Sequence, residues 1–314
     1  MVKLISIITP CRNERDNVVA CRDRVREVFK THLPTYEYEH IFADNASSDG
    51  TREVLRSLAS LDARVKVILN SRNFGAEASM FNALTRTSGD AVMVMIPADL
   101  QDPPELLPEF MRHWEEGHKV VYGIRHNRTE GSIMTLIRRA YYRAVAAFSN
   151  INIPRNVGEF QLIDRVVVDA LKRFEERQPY LRGMIASCGF NALGIEYEVA
   201  ERARGRSNMN LLRLIDQGLN GLISFSTLPL RVCMLIGVVT SVMSLLYAAA
   251  SFVVSLVFFR ELAPPGIPTM IVALFFFGGV QLFFLGVLGE YILAIHTQVR
   301  RRPLVIEEEL INLD

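Results

Sequence analysis

Four short polar runs, each following a β-branched segment, hold the side chains best suited to chemistry. The first is Pro10-Cys-Arg12-Asn-Glu14, and it lacks the Gly-x-Gly-x-x-Gly spacing that lets a pyrophosphate approach a helix N-terminus, which disfavours a Rossmann dehydrogenase. The second is Asp44-Asn-Ala-Ser-Ser-Asp49-Gly-Thr51, where an acid directly after a strand can accept hydrogen bonds from ribose hydroxyls or a base N–H, while Ser48 or Asp49 caps the next helix. A third, Ser71-Arg-Asn-Phe-Gly75, is the loop after the strand that ends at Asn70. The fourth, Asp99-Leu-Gln101-Asp102-Pro-Pro-Glu105, is the densest. Asp99 and Gln101 are two apart in an extended segment, so their oxygens face one side, and such hard ligands suit Mg²⁺ or Mn²⁺ bridged to a diphosphate. Asp102 and Glu105 read as structural, since Pro at the first helical position with acids in the first turn opens a helix.

The elements that must position these runs alternate. Strands are predicted at 4–9, 38–43, 65–70, 91–96 and 120–123, with helices over 17–29, after Thr51, over 75–84 and over 103–116. Such alternation indicates βαβ units, an α/β fold and a mainly parallel sheet, with ligands held outside the carboxyl ends of the strands. The four polar runs fall at those ends.

The formal charge of +1, from 35 Lys and Arg against 34 Asp and Glu, argues against a nucleic-acid partner. That balance conceals a division, because residues 232–259 and 266–289 contain no charged side chain. Each run exceeds the roughly 20 residues that cross a hydrocarbon core of about 30 Å, which predicts two transmembrane helices, 231–260 and 266–295. Arg231 before the first and Arg300, Arg301 and Arg302 after the second place both termini and the large N-terminal part in the cytoplasm, making a multi-pass inner-membrane protein. The apolar run Leu4 to Thr9 is too short for a signal-peptide core, so none is expected there, and residues 296–314 read as a cytoplasmic tail. Two further stretches, 133–148 and 209–230, are amphipathic and basic; the second is expected at the membrane interface and the first either there or packed on the sheet. Cys11, Cys21, Cys188 and Cys233 lack zinc-ligand spacing, so free thiols are expected.

Taken as a set, the motifs resemble the family 2 glycosyltransferases of the GT-A fold that act on polyprenyl phosphates, such as dolichol-phosphate mannosyltransferases and, more closely, bactoprenol glucosyltransferases. The matching pieces are Ile7 to Glu14, Asp44 to Thr51, Ser71 to Gly75, Ala98 to Glu105, Val121 to Arg125 with Arg128, Gly158 to Asp164, Arg202 to Gly205 with Ser207, and Ser224 to Arg231. The resemblance covers nearly the whole chain. It implies a GT-A domain over 1–208, a nucleotide pocket lined by Pro10, Arg12 and Glu14 with Asp44 on the base or ribose, and a divalent ion, Mg²⁺ or Mn²⁺, held by Asp99 and Gln101. It also implies that Arg125, Arg128 and Arg202 neutralise donor or acceptor phosphates, with Glu159 catalytic and Ser207 in the acceptor loop.

Three positions depart from the family pattern. Pro97 replaces the first acid of Asp-Ala-Asp, Glu159 replaces the acid of Gly-Asp-Phe, and Ser207-Asn-Met209 replaces Ser-Lys-Tyr. A lipid phosphate is already a competent nucleophile, so the expected chemistry is one in-line displacement with inversion, in which the ion and the arginines stabilise charge on the departing diphosphate. UDP-glucose is the expected donor and polyprenyl phosphate the acceptor, with GDP-mannose-dependent mannosyl transfer as the alternative. A non-catalytic membrane scaffold is the third reading. Gly278-Gly279 and Gly286-x-x-Gly289 permit close helix approach, and a homo-oligomer is expected.

Overall fold

The computed structural model describes residues 2–125, 157–198 apart from 175, 177 and 178, the pieces 235–240, 242, 243 and 246, and residues 267–299 and 303–313. The chain divides into two units, one of Met1–Ala146, Ile151–Asn210 and Arg301–Asp314, the other of Ala147–Asn150 and Leu211–Arg300.

In the first unit, β1 (Leu4–Cys11) buries Ile5, Ile7 and Ile8 completely, as a strand covered on both faces requires. It is followed by α1 (Val18–His32), β2 (Glu37–Asp44), α2 (Thr51–Leu61), β3 (Val65–Asn70), α3 (Ala76–Thr85) and β4 (Ala91–Met93). After a 3₁₀ turn at Pro104–Leu106 come α4 (Leu107–Glu115), β5 (Val120–Arg125), β6 (Val157–Asp164), α5 (Arg165–Leu171), α6 (Leu181–Ser187) and β7 (Ala192–Tyr197). The second unit holds α7 (Ile267–Val299), and the chain then returns to the first unit as β8 (Glu307–Ile311).

The sheet runs β7-β5-β6-β4-β1-β2-β3-β8. The joins β1–β2, β1–β4, β2–β3 and β5–β7 are parallel, in keeping with the expected mainly parallel sheet. Antiparallel joins arise where β6 inserts between β4 and β5 and where β8 adds to β3. One core lies between the sheet and α1 with α4, with Cys21, Val25, Phe29, Phe110 and Trp114 packed on Ile5, Ile7 and Phe160. The other sets Leu55 and Leu58 of α2 against Phe42, Val67 and Leu69.

Two differences from expectation concern the ends of elements. The fourth strand stops at Met93 rather than Ile96, although Val94 N–H still donates to Gln161 C=O and Ile96 N–H to Ile8 C=O, so the backbone stays paired where the ladder becomes irregular. The expected tail is in part an edge strand. Glu307 pairs with Arg86, Glu308 with Arg52 and Glu309 with Arg56, so an acidic run that reads as a solvated end complements basic side chains on α2 and beside α3.

α7 has 33 residues, about 50 Å of helix, and its stretch Phe276–Leu293 is long and apolar enough to cross a membrane. None of that stretch is buried within the chain. The stretches 133–148 and 209–230 and most of the expected first span lie outside the described residues.

Candidate functional site

All four polar runs sit at one edge of the sheet, because β1, β2, β3 and β4 point the same way and the loops after them leave at their carboxyl ends. β6 runs opposite to β4, so its first residues, Val157 to Glu159, reach that same edge, and β5 ends there at Arg125. This topology gathers residues far apart in sequence.

The first two loops are zipped together. Asn13 N–H donates to Ser47 Oγ at 2.8 Å, Ser48 N–H returns to Asn13 Oδ1 at 2.9 Å, and Glu14 N–H reaches Thr51 Oγ1 at 3.0 Å. Pro10, at the end of β1, is partly buried, Arg12 is exposed, and Glu14 accepts from Asn17 Nδ2 at 2.6 Å. Asp44 is fully buried; it accepts from Ser47 N–H at 3.0 Å and from the Ser47 hydroxyl, with Arg52 Nε 3.8 Å away. Burial pushes its carboxyl above the usual carboxylate range, against the lowering effect of Ser47 and Arg52. The third loop joins them, as Asn45 Oδ1 accepts from Phe74 N–H and Asn45 Nδ2 donates to Asn73 Oδ1.

In the fourth loop, Leu100 N–H closes a turn on Pro97 C=O at 3.0 Å, and Asp99 Oδ1 accepts from Gln101 N–H at 3.3 Å. Asn13, Ala46 and Leu100 all have φ near +57°. For a side chain as bulky as leucine this conformation is costly, and such strain gathers at functional sites. Asp99 is buried and Gln101 partly exposed. Both offer oxygen, the donor chemistry that suits Mg²⁺ or Mn²⁺. Among the described residues there is no group of three or more His, Cys, Asp or Glu side chains that could hold an ion.

Arg125 is not a lone cation. It donates through Nη2 to Asp102 Oδ2 at 2.7 Å and through Nε to the Tyr197 hydroxyl at 3.1 Å. Glu159 has Arg182 Nε 3.5 Å from its Oε1, and Glu77 of α3 accepts from Leu181 N–H at 3.3 Å. Burial, then the neighbouring Glu159, pushes Glu77 up to about 7. Sequence reasoning missed Glu77, Arg182 and Tyr197, which stand in ordinary helix and strand patterns. Arg128, Arg202 and Ser207 lie outside the described residues. Cys11 and Cys21 are buried, which raises both thiols, Cys21 to about 12, so neither is a nucleophile near neutral pH.

A family model described as Glycosyl transferase family 2 matches residues 6–172, and one described as GtrB C-terminal hairpin matches residues 228–295. The bactoprenol glucosyl transferase of Shigella phage SfII is 37% identical over 300 residues, covering 95% of this chain and 96% of that protein. The putative glycosyltransferase CsbB of Bacillus subtilis is 36% identical over 313 residues, covering 99% and 94%. Among solved structures, the mannosyltransferase PcManGT from Pyrobaculum calidifontis, in complex with GDP-Man and Mn²⁺, superposes with a TM-score of 0.50 at 16% identity, covering 96% of this chain and 87% of that one, a likeness of fold alone.

Proposed function

The chain belongs to glycosyl transferase family 2, and from that membership we propose that it transfers a hexose, glucose from UDP-glucose, to polyprenyl phosphate at the cytoplasmic face of a membrane. The observation that carries the reading is the convergence of Asp44, Asp99, Gln101, Arg125 and Glu159 on one sheet edge in a chain whose relatives include bactoprenol glucosyl transferases. Pro10, Arg12, Glu14 and Asp44 would receive the nucleotide. Asp99 and Gln101 would hold a divalent ion, which when bound supplies positive charge to the leaving diphosphate.

The protein's own groups account for the remaining chemistry. Arg125, Arg128 and Arg202 are guanidinium groups, which fork onto phosphate oxygens and keep their charge throughout. Their task is to bring two anionic substrates together and to stabilise the diphosphate as it departs. The Glu159 carboxylate would offset positive charge developing at the anomeric carbon, and Ser207 would contact the acceptor. The lipid phosphate oxygen attacks that carbon from the face opposite the diphosphate, so configuration inverts.

Membrane attachment is supported by α7 and by the path of the chain. The strands from β1 to β7 precede the apolar segments and β8 follows them, yet all belong to one sheet. A chain that leaves a sheet and rejoins it crosses a bilayer an even number of times, so a spanning α7 calls for a second span, and the hairpin match over 228–295 supports placing it before α7. Gly278-Gly279 and Gly286-x-x-Gly289 permit close helix approach, and a homo-oligomer is part of this proposal.

The test is transfer of radiolabelled sugar to polyprenyl phosphate by the Asp99→Ala and Arg202→Ala variants. Each should lose activity by about 100-fold or more, the scale on which removal of a charge-stabilising group acts. Unchanged transfer in both would defeat the catalytic assignment.

A further inference from the structure

Arg125 belongs to a closed ring of three side chains. It and Tyr197 are register partners on the parallel strands β5 and β7, so both side chains leave the sheet at one level. Arg125 reaches Asp102 Oδ2 and the Tyr197 hydroxyl, and that hydroxyl donates to Asp102 Oδ1 at 2.5 Å. Each polar atom is used with the right polarity, since the phenol accepts from the guanidinium and donates to the carboxylate.

Exposure divides the ring into a support and a working face. The Asp102 side chain is 0% exposed and Tyr197 is 7% exposed, whereas the Arg125 side chain is 40% exposed. Only Arg125 can meet a ligand, and two of its N–H donors are held by the ring while others remain for an anion. The packing around the ring is tight. A Cβ on Gly123 would lie 2.5 Å from Tyr197 Cε1 and 2.9 Å from Phe160 Cδ1, and Phe160 packs on the Tyr197 ring at 5.3 Å between centroids. The phenol therefore has little freedom to leave its position.

We propose that Tyr197, together with Asp102, is a positioning residue that fixes the orientation of Arg125 toward a substrate phosphate, without touching substrate itself. This rests on reading Arg125 as a phosphate-binding group, and the phosphate could belong to the nucleoside diphosphate or to the lipid. A guanidinium on a flexible stem loses rotamer freedom when it grips an anion, and a buried ring that has already ordered it lowers that cost. Tyr197→Phe keeps the ring packing and removes one hydroxyl, leaving a carboxylate oxygen and an Nε–H without their partner.

The experiment uses the full-length chain in lipid–detergent micelles and compares Tyr197→Phe, Arg125→Ala and the double variant. KM for UDP-glucose, KM for polyprenyl phosphate and kcat are measured, alongside UDP affinity by calorimetry and the thermal midpoint. Tyr197→Phe should raise one of the two KM values by about tenfold, the scale of one lost hydrogen bond to an ion. In the Arg125→Ala background it should add nothing further. A rise in the donor KM with weaker UDP binding assigns the nucleoside diphosphate, and a rise in the acceptor KM alone assigns the lipid. If Arg125→Ala raises a KM and Tyr197→Phe leaves every KM unchanged, positioning by Tyr197 is refuted while the phosphate reading stands. If Arg125→Ala changes neither KM nor UDP affinity, both are refuted. Should Tyr197→Phe fail to fold, Asp102→Asn replaces it under the same criteria.

Discussion

The carboxyl of Glu77 should make the stability of this protein depend on pH around neutrality. It sits in the first turn of α3, with Leu181 N–H on its Oε2 and the charges of Glu159 and Arg182 nearby. Burial, then repulsion from Glu159, pushes it from 4.5 up to about 7. A carboxyl raised in the folded state holds a proton that the unfolded chain releases, so its contribution is fully present at acidic pH and is lost as pH rises through the folded value. For that shift the difference between about pH 6 and about pH 8 is on the order of 1 kcal/mol, with the protein more stable at the lower pH. In a domain of this size that is a fall of about 2–4 °C in the unfolding midpoint. The assay is thermal unfolding of the full-length protein in detergent across that range, for wild type, Glu77→Gln and Glu159→Gln. Glu77→Gln should remove the extra fall, and Glu159→Gln should move it to lower pH by relieving the repulsion. A Glu77→Gln variant with the wild-type pH slope would refute the reasoning.

Four other expectations follow from contacts elsewhere in the sheet. Gly89→Ala would place a Cβ 2.6 Å from Ser6 N and 2.8 Å from Leu4 C=O, both backbone atoms that cannot step aside, and should destabilise by about 1–3 kcal/mol in a denaturant melt. Glu39→Gln should cost about 3 kcal/mol by the same measurement, because its buried carboxylate accepts from Ser6 and Ser88 and pairs with Lys66 at 2.6 Å, and the lysine would be left without its counter-charge. Truncation before Glu307 should bare the edge of β3 and promote self-association, read by size-exclusion chromatography, whereas Glu308→Ala alone should cost under about 1 kcal/mol because its pair with Arg52 is a surface one.

The parts of the fold legible in the sequence are those written in local periodicity. The β-branched runs ending at Cys11, Asp44 and Asn70, and the apolar stripe of Val18, Cys21, Val25 and Phe29, mark strands and a helix within a few residues of where they form. β8 was not legible, because its three glutamates acquire a partner strand and three arginines only after the chain has travelled more than 200 residues. The candidate site divides in the same way. Asp44, Asp99 and Gln101 stand in short motifs legible in the chain itself, although Asp99 lies in a turn with Leu100 at positive φ and not in the extended segment expected there, and Glu159 is reached only through the family resemblance. Tyr197 looks like core in a strand, and its hydroxyl acquires a role only through parallel pairing with Arg125 and a buried Asp102 that reads as a helix start. Glu77 likewise resembles any acid in a helix's first turn, and only the fold sets it beside Glu159 and Arg182.

The central claim is that this chain moves a hexose from a nucleotide donor onto a lipid phosphate. It is tested most directly by incubating the purified full-length protein with polyprenyl phosphate, Mg²⁺ or Mn²⁺, and labelled UDP-glucose or GDP-mannose in parallel, then identifying the lipid product by mass spectrometry. The account predicts a polyprenyl-phosphate hexose formed from UDP-glucose, with the β-linkage that inversion of an α-linked donor gives. Nucleotide release without any glycosylated lipid from either donor would contradict it.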